Sequence, residues 1–288
     1  MKLKILPERA KILSSYKRTD EPIPFLFDPG IFSMKRVFLQ AARFALSGVL
    51  VSSVMLGGCA RRVPLTPTGP LSVSGQPLAH APRNIYHVVG PSETMWRISK
   101  TYGVDMQTIM SANRIKDPTK IKNGQRLLIP NTSGPRPMIP LFPTRRWTHI
   151  VVHHTATHEG DAFTIDQMHH KRGFWNGLGY HFLINNGTEG KMDGQIQIGP
   201  RWIKQMDGAH ANAAGMNEKG IGVVLVGNFS ETQITETELD SLVFLVKILM
   251  DYYHIPNANV IGHRDVPGKS TECPGNYFPW AEFKRRIA

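Results

Sequence analysis

Two imidazoles and one thiol, widely separated along the chain, are the residues with chemistry to offer. His153 stands in Val-Val-His-His-Thr-Ala-Thr, His263 in Ile-Gly-His-Arg-Asp and Cys273 in Thr-Glu-Cys-Pro-Gly. Two histidines and a cysteine can hold Zn2+ and leave its fourth position open, and an open position separates a catalytic zinc from a structural one. Convergence of the three in space would make a hydrolytic centre. Each also has a plainer reading, because histidines often serve as surface or satisfied core residues and a buried thiol is common.

The elements that must position them follow from hydrophobic periodicity. Thr148 to His153 is an apolar, β-branched run that reads as a buried strand, and Thr164 to Lys171 reads as a helix. Tyr180 to Ile184 is a second strand, closed by the turn Asn185-Asn186-Gly187. Gly220 to Val226 is a third. Thr235-Glu-Thr-Glu238 is a capping box opening a long amphipathic helix to about Tyr253, and Val260 to His263 is a short strand. Strands alternating with helices indicate an α/β sheet with helices packed on it.

Upstream, residues 85–131 form a smaller unit. Tyr86 to Val89 reads as a strand. Ser92 or Thr94 caps a helix with Met95, Ile98 and Tyr102 on its apolar face. Met106 to Asn113 is a second helix and Arg126 to Ile129 a closing strand. This βααβ order resembles a LysM module, most specifically at Asn113 and in the ending Asn-Gly-Gln-Arg-Leu-Leu-Ile-Pro. The resemblance implies binding of N-acetylglucosamine-containing glycans such as peptidoglycan. Residues 132–145, rich in proline, read as a stiff linker, and 59–84 as a flexible tether.

The start of the chain reads as an export signal over residues 34–58. Lys35, Arg36 and Arg43 give it a positive end. Phe44 to Met55 is too short to span a bilayer and suits a signal core. Leu56-Gly57-Gly58-Cys59 resembles a bacterial lipobox, which implies acylation of Cys59, a lipid anchor and, with Ala60 following, the outer membrane facing the periplasm. Met34 then reads as the start and residues 1–33 as a mis-called extension. The 288-residue chain carries a net charge of +12, and residues 1–58 hold nine Lys/Arg against four Asp/Glu. The remaining excess suits a polyanionic surface. No long basic run interleaves with aromatics, which argues against nucleic acid, and nothing implies an obligate protein partner. With only Cys59 and Cys273 present, one disulfide is the alternative use of both.

Six motifs in order across residues 146–288 resemble zinc N-acetylmuramoyl-L-alanine amidases, a family that includes phage lysozyme-type amidases and animal peptidoglycan recognition proteins. To the three above are added Gly-Tyr-His-Phe-Leu-Ile, Gly-Ala-His-Ala and Ile-Gly-Val-Val-Leu-Val-Gly-Asn-Phe. The resemblance implies a mixed central sheet flanked by helices and Zn2+ held by His153, His263 and Cys273. Along a strand His153 and His154 point to opposite faces, so only one readily faces a metal. Tyr180 matches the family's catalytic tyrosine. Thr271 falls where phage members carry lysine and recognition proteins threonine. It has a hydroxyl to donate but no charge. His210 and Asn217 are expected to bind substrate, although His210 also admits a structural role. The general base stays open between Tyr180, His210 and a zinc-bound hydroxide. Cytoplasmic recycling amidases use aspartate where Cys273 stands and glutamate where Val224 stands, which together with the export signal argues against that class. The implied reaction is hydrolysis of the amide between N-acetylmuramic acid and L-alanine. The alternative is a peptidoglycan-binding recognition lipoprotein without activity.

Overall fold

The computed structural model describes residues 71–75 and 81–288. The expected signal segment 34–58, Cys59 and the stretch 1–33 lie outside the described residues. Among those described, no helix is long and apolar enough to cross a membrane.

Strand β1 (Leu71–Ser74) comes first, then a small module of β2 (Arg83–Val88), α1 (Met95–Tyr102), α2 (Met106–Ala112) and β3 (Arg126–Thr132). Strands β2 and β3 pair antiparallel. Both helices begin where a side chain takes up a free amide. Thr94, one of the two expected caps, accepts from Arg97 N at 3.2 Å, and Asp105 accepts from Gln107 N at 2.8 Å. Gly103 ends α1 at φ 62°, a left-handed conformation that costs glycine nothing. Met95, Ile98 and Tyr102 face inward onto Ile109, Leu127 and Ile129. Asn113 ties α2 to β3. Its Nδ2 donates to Ile109 O and Leu128 O, and its Oδ1 accepts from Leu128 N at 2.7 Å.

Both stretches expected as linkers contain a strand. β1 pairs antiparallel with β4 (Met138–Leu141). Ile139 and Leu141 are buried in the core of the following domain with Trp147 and Trp202, and Trp202 Nε1 donates to Pro140 O at 2.8 Å. The prolines misled the reading because a proline costs little in a two-stranded edge ladder, where its missing N–H need not face a partner.

The larger domain is built on a five-stranded sheet, β5 (His149–His154), β6 (Phe182–Asn186), β7 (Asp193–Ile198), β8 (Gly220–Leu225) and β9 (Val260–Gly262), in the order β7-β6-β8-β5-β9. Only β6 and β7 run antiparallel. Helices α3 (Ala162–Lys171), α4 (Pro200–Ile203), α5 (Met216–Lys219), α6 (Glu236–Tyr253) and α7 (Trp280–Ile287) surround it. Leu242, Leu245, Val246 and Leu249 of α6 pack with Ile150, Val152, Phe182 and Val223. Ile165 of α3 packs with Leu183 and Val224, the alternate residues of the same strands. Helices therefore cover both faces, which is why the parallel strands read as unbroken apolar runs. The α/β class, the mixed sheet and the small βααβ unit are as expected.

The small module is seated on the larger domain through buried charge. Lys191, in the β6–β7 turn, is fully buried. Its Nζ donates to Val88 O at 2.6 Å and lies 3.6 Å from Asp161 Oδ2. Nearby, Glu93 Oε2 accepts from His87 Nε2 and from Gly90 N, each at 2.7 Å, and His87 Nδ1 meets the Tyr102 hydroxyl at 3.0 Å. Burial opposes the charge on Glu93, but the His87 imidazole, Lys191 and the Gly90 amide outweigh it and hold the carboxyl at about 2.

Candidate metal centre

β5 and β9 are parallel neighbours, and His153 and His263 stand at or just beyond their carboxyl ends. Side chains placed there project into the crevice where α/β sheets carry their sites. The pleat sends His153 and His154 to opposite faces. His154 Nδ1 accepts from Phe229 N at 3.1 Å, while His153 lies among the rings of Tyr180, His210 and His263. Cys273 arrives on the loop before α7. Its backbone is held by Arg264 N, which donates to Cys273 O at 2.8 Å, and by the Thr271 hydroxyl, which accepts from Cys273 N at 3.2 Å. Gly275, two residues on, passes so close to Phe229 that a Cβ would sit 2.2 Å from its carbonyl carbon. Glycine is thus what lets the Cys-Pro-Gly loop close on the sheet.

One donor atom each from His153, His263 and Cys273 lies within 4.8 Å of the others. A relay fixes which nitrogen His153 offers. His210 Nε2 meets Gly220 O at 3.2 Å, and a carbonyl only accepts, so that nitrogen carries the hydrogen. His210 Nδ1 must then accept, and His153 Nε2 donates to it at 3.1 Å. The lone pair of His153 Nδ1 is left facing Cys273 Sγ at 3.7 Å. His263 Nε2 is buried with no hydrogen-bond partner. Burial and the neighbouring His210 and His263 hold His153 well below the ordinary imidazole value, and burial with Lys269 lowers His263. Burial pushes the Cys273 thiol up to about 11, against a partial pull from the His154 amide. Three neutral donors thus gather at one place, His153 and Cys273 buried and His263 partly so. Two imidazoles, one of them with an orphaned nitrogen, and a thiol that ionises when a cation displaces its proton fit Zn2+.

The remaining expected residues surround this set. Tyr180 has its ring centroid 5.2 Å from that of His153, and burial, reinforced by Cys273, raises its phenol above the ordinary value. Its hydroxyl stays protonated at neutral pH and can donate. Thr271 is exposed beside Cys273. His210 and Asn217, expected to bind substrate, sit behind His153. His210 is buried against Gly222, where any Cβ would approach its ring to 2.4 Å. Asn217 Oδ1 accepts from the amides of His210, Ala211 and Asn212 and so shapes the loop that carries His210. In this geometry His210 contacts His153 directly, and Asn217 holds the loop that carries His210.

Sequence reasoning missed the supports of Tyr180. His169 Nδ1 accepts from Gly179 N at 3.0 Å, and its ring lies 5.5 Å from that of Tyr180. Asp166 Oδ1 accepts from Leu178 N, and Arg201 Nε donates to Leu178 O. The i, i+3 spacing of Asp166 and His169 on α3 was legible, but a buried face on an otherwise polar helix was not.

Comparison with known proteins places this geometry in context. A family model described as N-acetylmuramoyl-L-alanine amidase matches residues 143–276, and a LysM domain model matches residues 87–130. Peptidoglycan-recognition protein SC2 of Drosophila melanogaster is 30% identical over 146 residues, covering 48% of this chain and 72% of that protein. An endolysin of Enterobacteria phage T3 is 30% identical over 132 residues, covering 43% of this chain and 78% of its own. A solved N-acetylmuramoyl-L-alanine amidase from Clostridium intestinale is 36% identical, covers 50% of this chain and 86% of that chain, and superposes with a TM-score of 0.42.

Proposed function

We infer the function from one premise: the chain belongs to the N-acetylmuramoyl-L-alanine amidase family. The reading is a zinc-dependent hydrolase that cleaves the amide between N-acetylmuramic acid and the L-alanine of the stem peptide in peptidoglycan. The convergence of His153, His263 and Cys273 at the strand ends carries it. When bound, Zn2+ supplies a Lewis acid and lowers the pKa of a water in its open position. The chain's own residues supply the rest. His210, anchored on Gly220 O, holds His153 in the tautomer that leaves Nδ1 free. The Tyr180 phenol, protonated at neutral pH, donates to the oxygen that gains negative charge as the amide is attacked. The Thr271 hydroxyl accepts from Cys273 N and keeps its own hydrogen for a second donation.

The βααβ module holds the glycan strand, and its seating on the amidase domain raises the local concentration of the scissile bonds. Cys59 carries the lipid anchor and sets the protein on the outer membrane facing the periplasm. The recognition-protein relatives favour a second reading, binding without cleavage. Incubating the zinc-loaded full chain with purified peptidoglycan separates the two. Stem peptides beginning at L-alanine, detected by mass spectrometry, are the expected product. Cuts between sugars or within the peptide overturn the amidase reading, and glycan binding with no released peptide favours the second.

A further inference from the structure

A cavity of about 230 Å3 lies where the small module meets the amidase domain, lined from both sides. The module contributes Ser92 and Asn123, and the amidase domain contributes Trp175, Asn176, Arg201 and Lys204. None of these six belongs to the three-donor centre. Trp175 is the most exposed large hydrophobic side chain among the described residues, at 95%. It leaves nearly a whole indole in water beside a polar cleft, a place where burial against a ligand is still available.

Specific contacts shape the surroundings. Trp175 rides on a short loop between Gly173 and Gly177, whose φ angles are 85° and 61°. Phe174 anchors that loop, its ring 4.8 Å from that of His169. Gly177 is obligatory, since a Cβ there would meet Asp166 Oδ1 at 2.0 Å. Arg201, only 6% exposed, is held by Leu178 O and Asp207 O. On the module side, the Lys191–Val88 contact fixes the strand that leads toward Ser92. The cavity is therefore built before any ligand arrives, as binding sites usually are.

We propose that this junction is a carbohydrate subsite made jointly by the two domains, and that it takes one ring of an N-acetylated amino-sugar strand. A sugar ring has an apolar C–H face and a rim of hydroxyl and amide groups. Trp175 offers a flat apolar surface for the face. The Asn123 and Asn176 amides, the Ser92 hydroxyl and the cations of Arg201 and Lys204 offer donors and acceptors for the rim. The cavity has room for about one such ring. The choice of an amino sugar rests on the reading under Proposed function. The division of the site between two domains rests on geometry alone. Its effect would be to lay the strand across the junction, so that the modules grip one continuous chain in a fixed relation.

The test is calorimetric titration of the metal-free full chain with a peptide-free tetrasaccharide of alternating N-acetylglucosamine and N-acetylmuramic acid. Trp175→Ala should weaken binding about tenfold, Trp175→Phe should recover most of the loss, and Asn123→Ala should weaken binding about threefold. The double variant should lose less than the product of the single losses, because the two side chains hold one ring. Unchanged affinity in Trp175→Ala overturns the proposal. So does strict additivity, or a loss confined to Asn123→Ala, because the strand would then lie on the module alone. Both Trp175 and Asn123 are exposed, so the variants should fold, and thermal unfolding checks that they do. Glycan binding that depends on Trp175 in a chain that releases no stem peptide keeps this proposal and sinks the hydrolase reading. Released stem peptide with binding indifferent to Trp175 does the reverse.

Discussion

Around Lys191 opposite charges meet, whereas at the strand ends two imidazoles and a thiol meet with no carboxylate among the three donors. The junction cluster brings Lys191 to Asp161 and to the field of Glu93, and Glu93 is also paired with His87. Its charges are compensated within the cluster, although Asp161 Oδ2 at 3.6 Å from Lys191 Nζ makes no hydrogen bond. The strand-end cluster gathers two imidazoles held below their usual range and a thiol pushed up to about 11, all neutral and close together. Packing alone gives no reason to collect such groups, because burying polar atoms without partners costs free energy. The contrast separates a buried polar site that holds domains together from one whose donors suit a cation.

Removing one donor should break the comparison most sharply. Cys273→Ala should abolish zinc uptake in a chelator competition and slow stem-peptide release about a thousandfold or more, since the chemistry depends on the bound metal. The circular dichroism of the metal-free protein should stay unchanged, because a thiol with no cation stabilises the fold little. Next in size is the relay. His210→Ala frees His153 to turn or change tautomer, and zinc affinity should fall about 10- to 100-fold in the same competition, with all three ligands still present. Zinc affinity unchanged in that variant would show that the relay does not position His153.

The junction gives the smallest effect, and it appears in stability. Glu93→Gln should cost about 2 kcal/mol at neutral pH by leaving Lys191 less well compensated. The sign with pH follows from the carboxyl being held at about 2 against an ordinary 4.5. Its contribution is complete above 4.5 and is lost as pH falls toward 2. Urea unfolding curves of wild type and variant should therefore differ at pH 7, draw together as pH falls below 4.5 and converge only near pH 2. Equal midpoints at pH 7 would mean that the cluster contributes no net stability.

Most of the frame was legible because its signals are local. The capping box at Thr235 and Glu238 is present as such, the β-branched run ending at His153 is a central strand, and alternation along it separates His153 from His154. The specific position Asn113 turns out to staple a helix to a strand. What stayed hidden depends on long-range contacts. Nothing near Lys191 in sequence marks it as buried, since its acceptor Val88 lies 103 residues away. A lone lysine in a turn ordinarily reads as a solvated side chain. The same holds for the relay, where His153 and His210 are 57 residues apart and the carbonyl that sets both tautomers belongs to a glycine. The prolines from 135 to 143 gave the correct composition and the wrong inference, because Ile139 and Leu141 between them carry the burial.

The pairing of β1 with β4 also shortens a leash. An acylated Cys59 followed by free chain as far as Arg83 would have 24 residues of slack, or at most about 80 Å when fully extended. With Leu71 already fixed, 12 residues remain, and the reach halves to about 40 Å. Under the proposed acylation of Cys59, these four paired residues would set the radius within which the folded domains work.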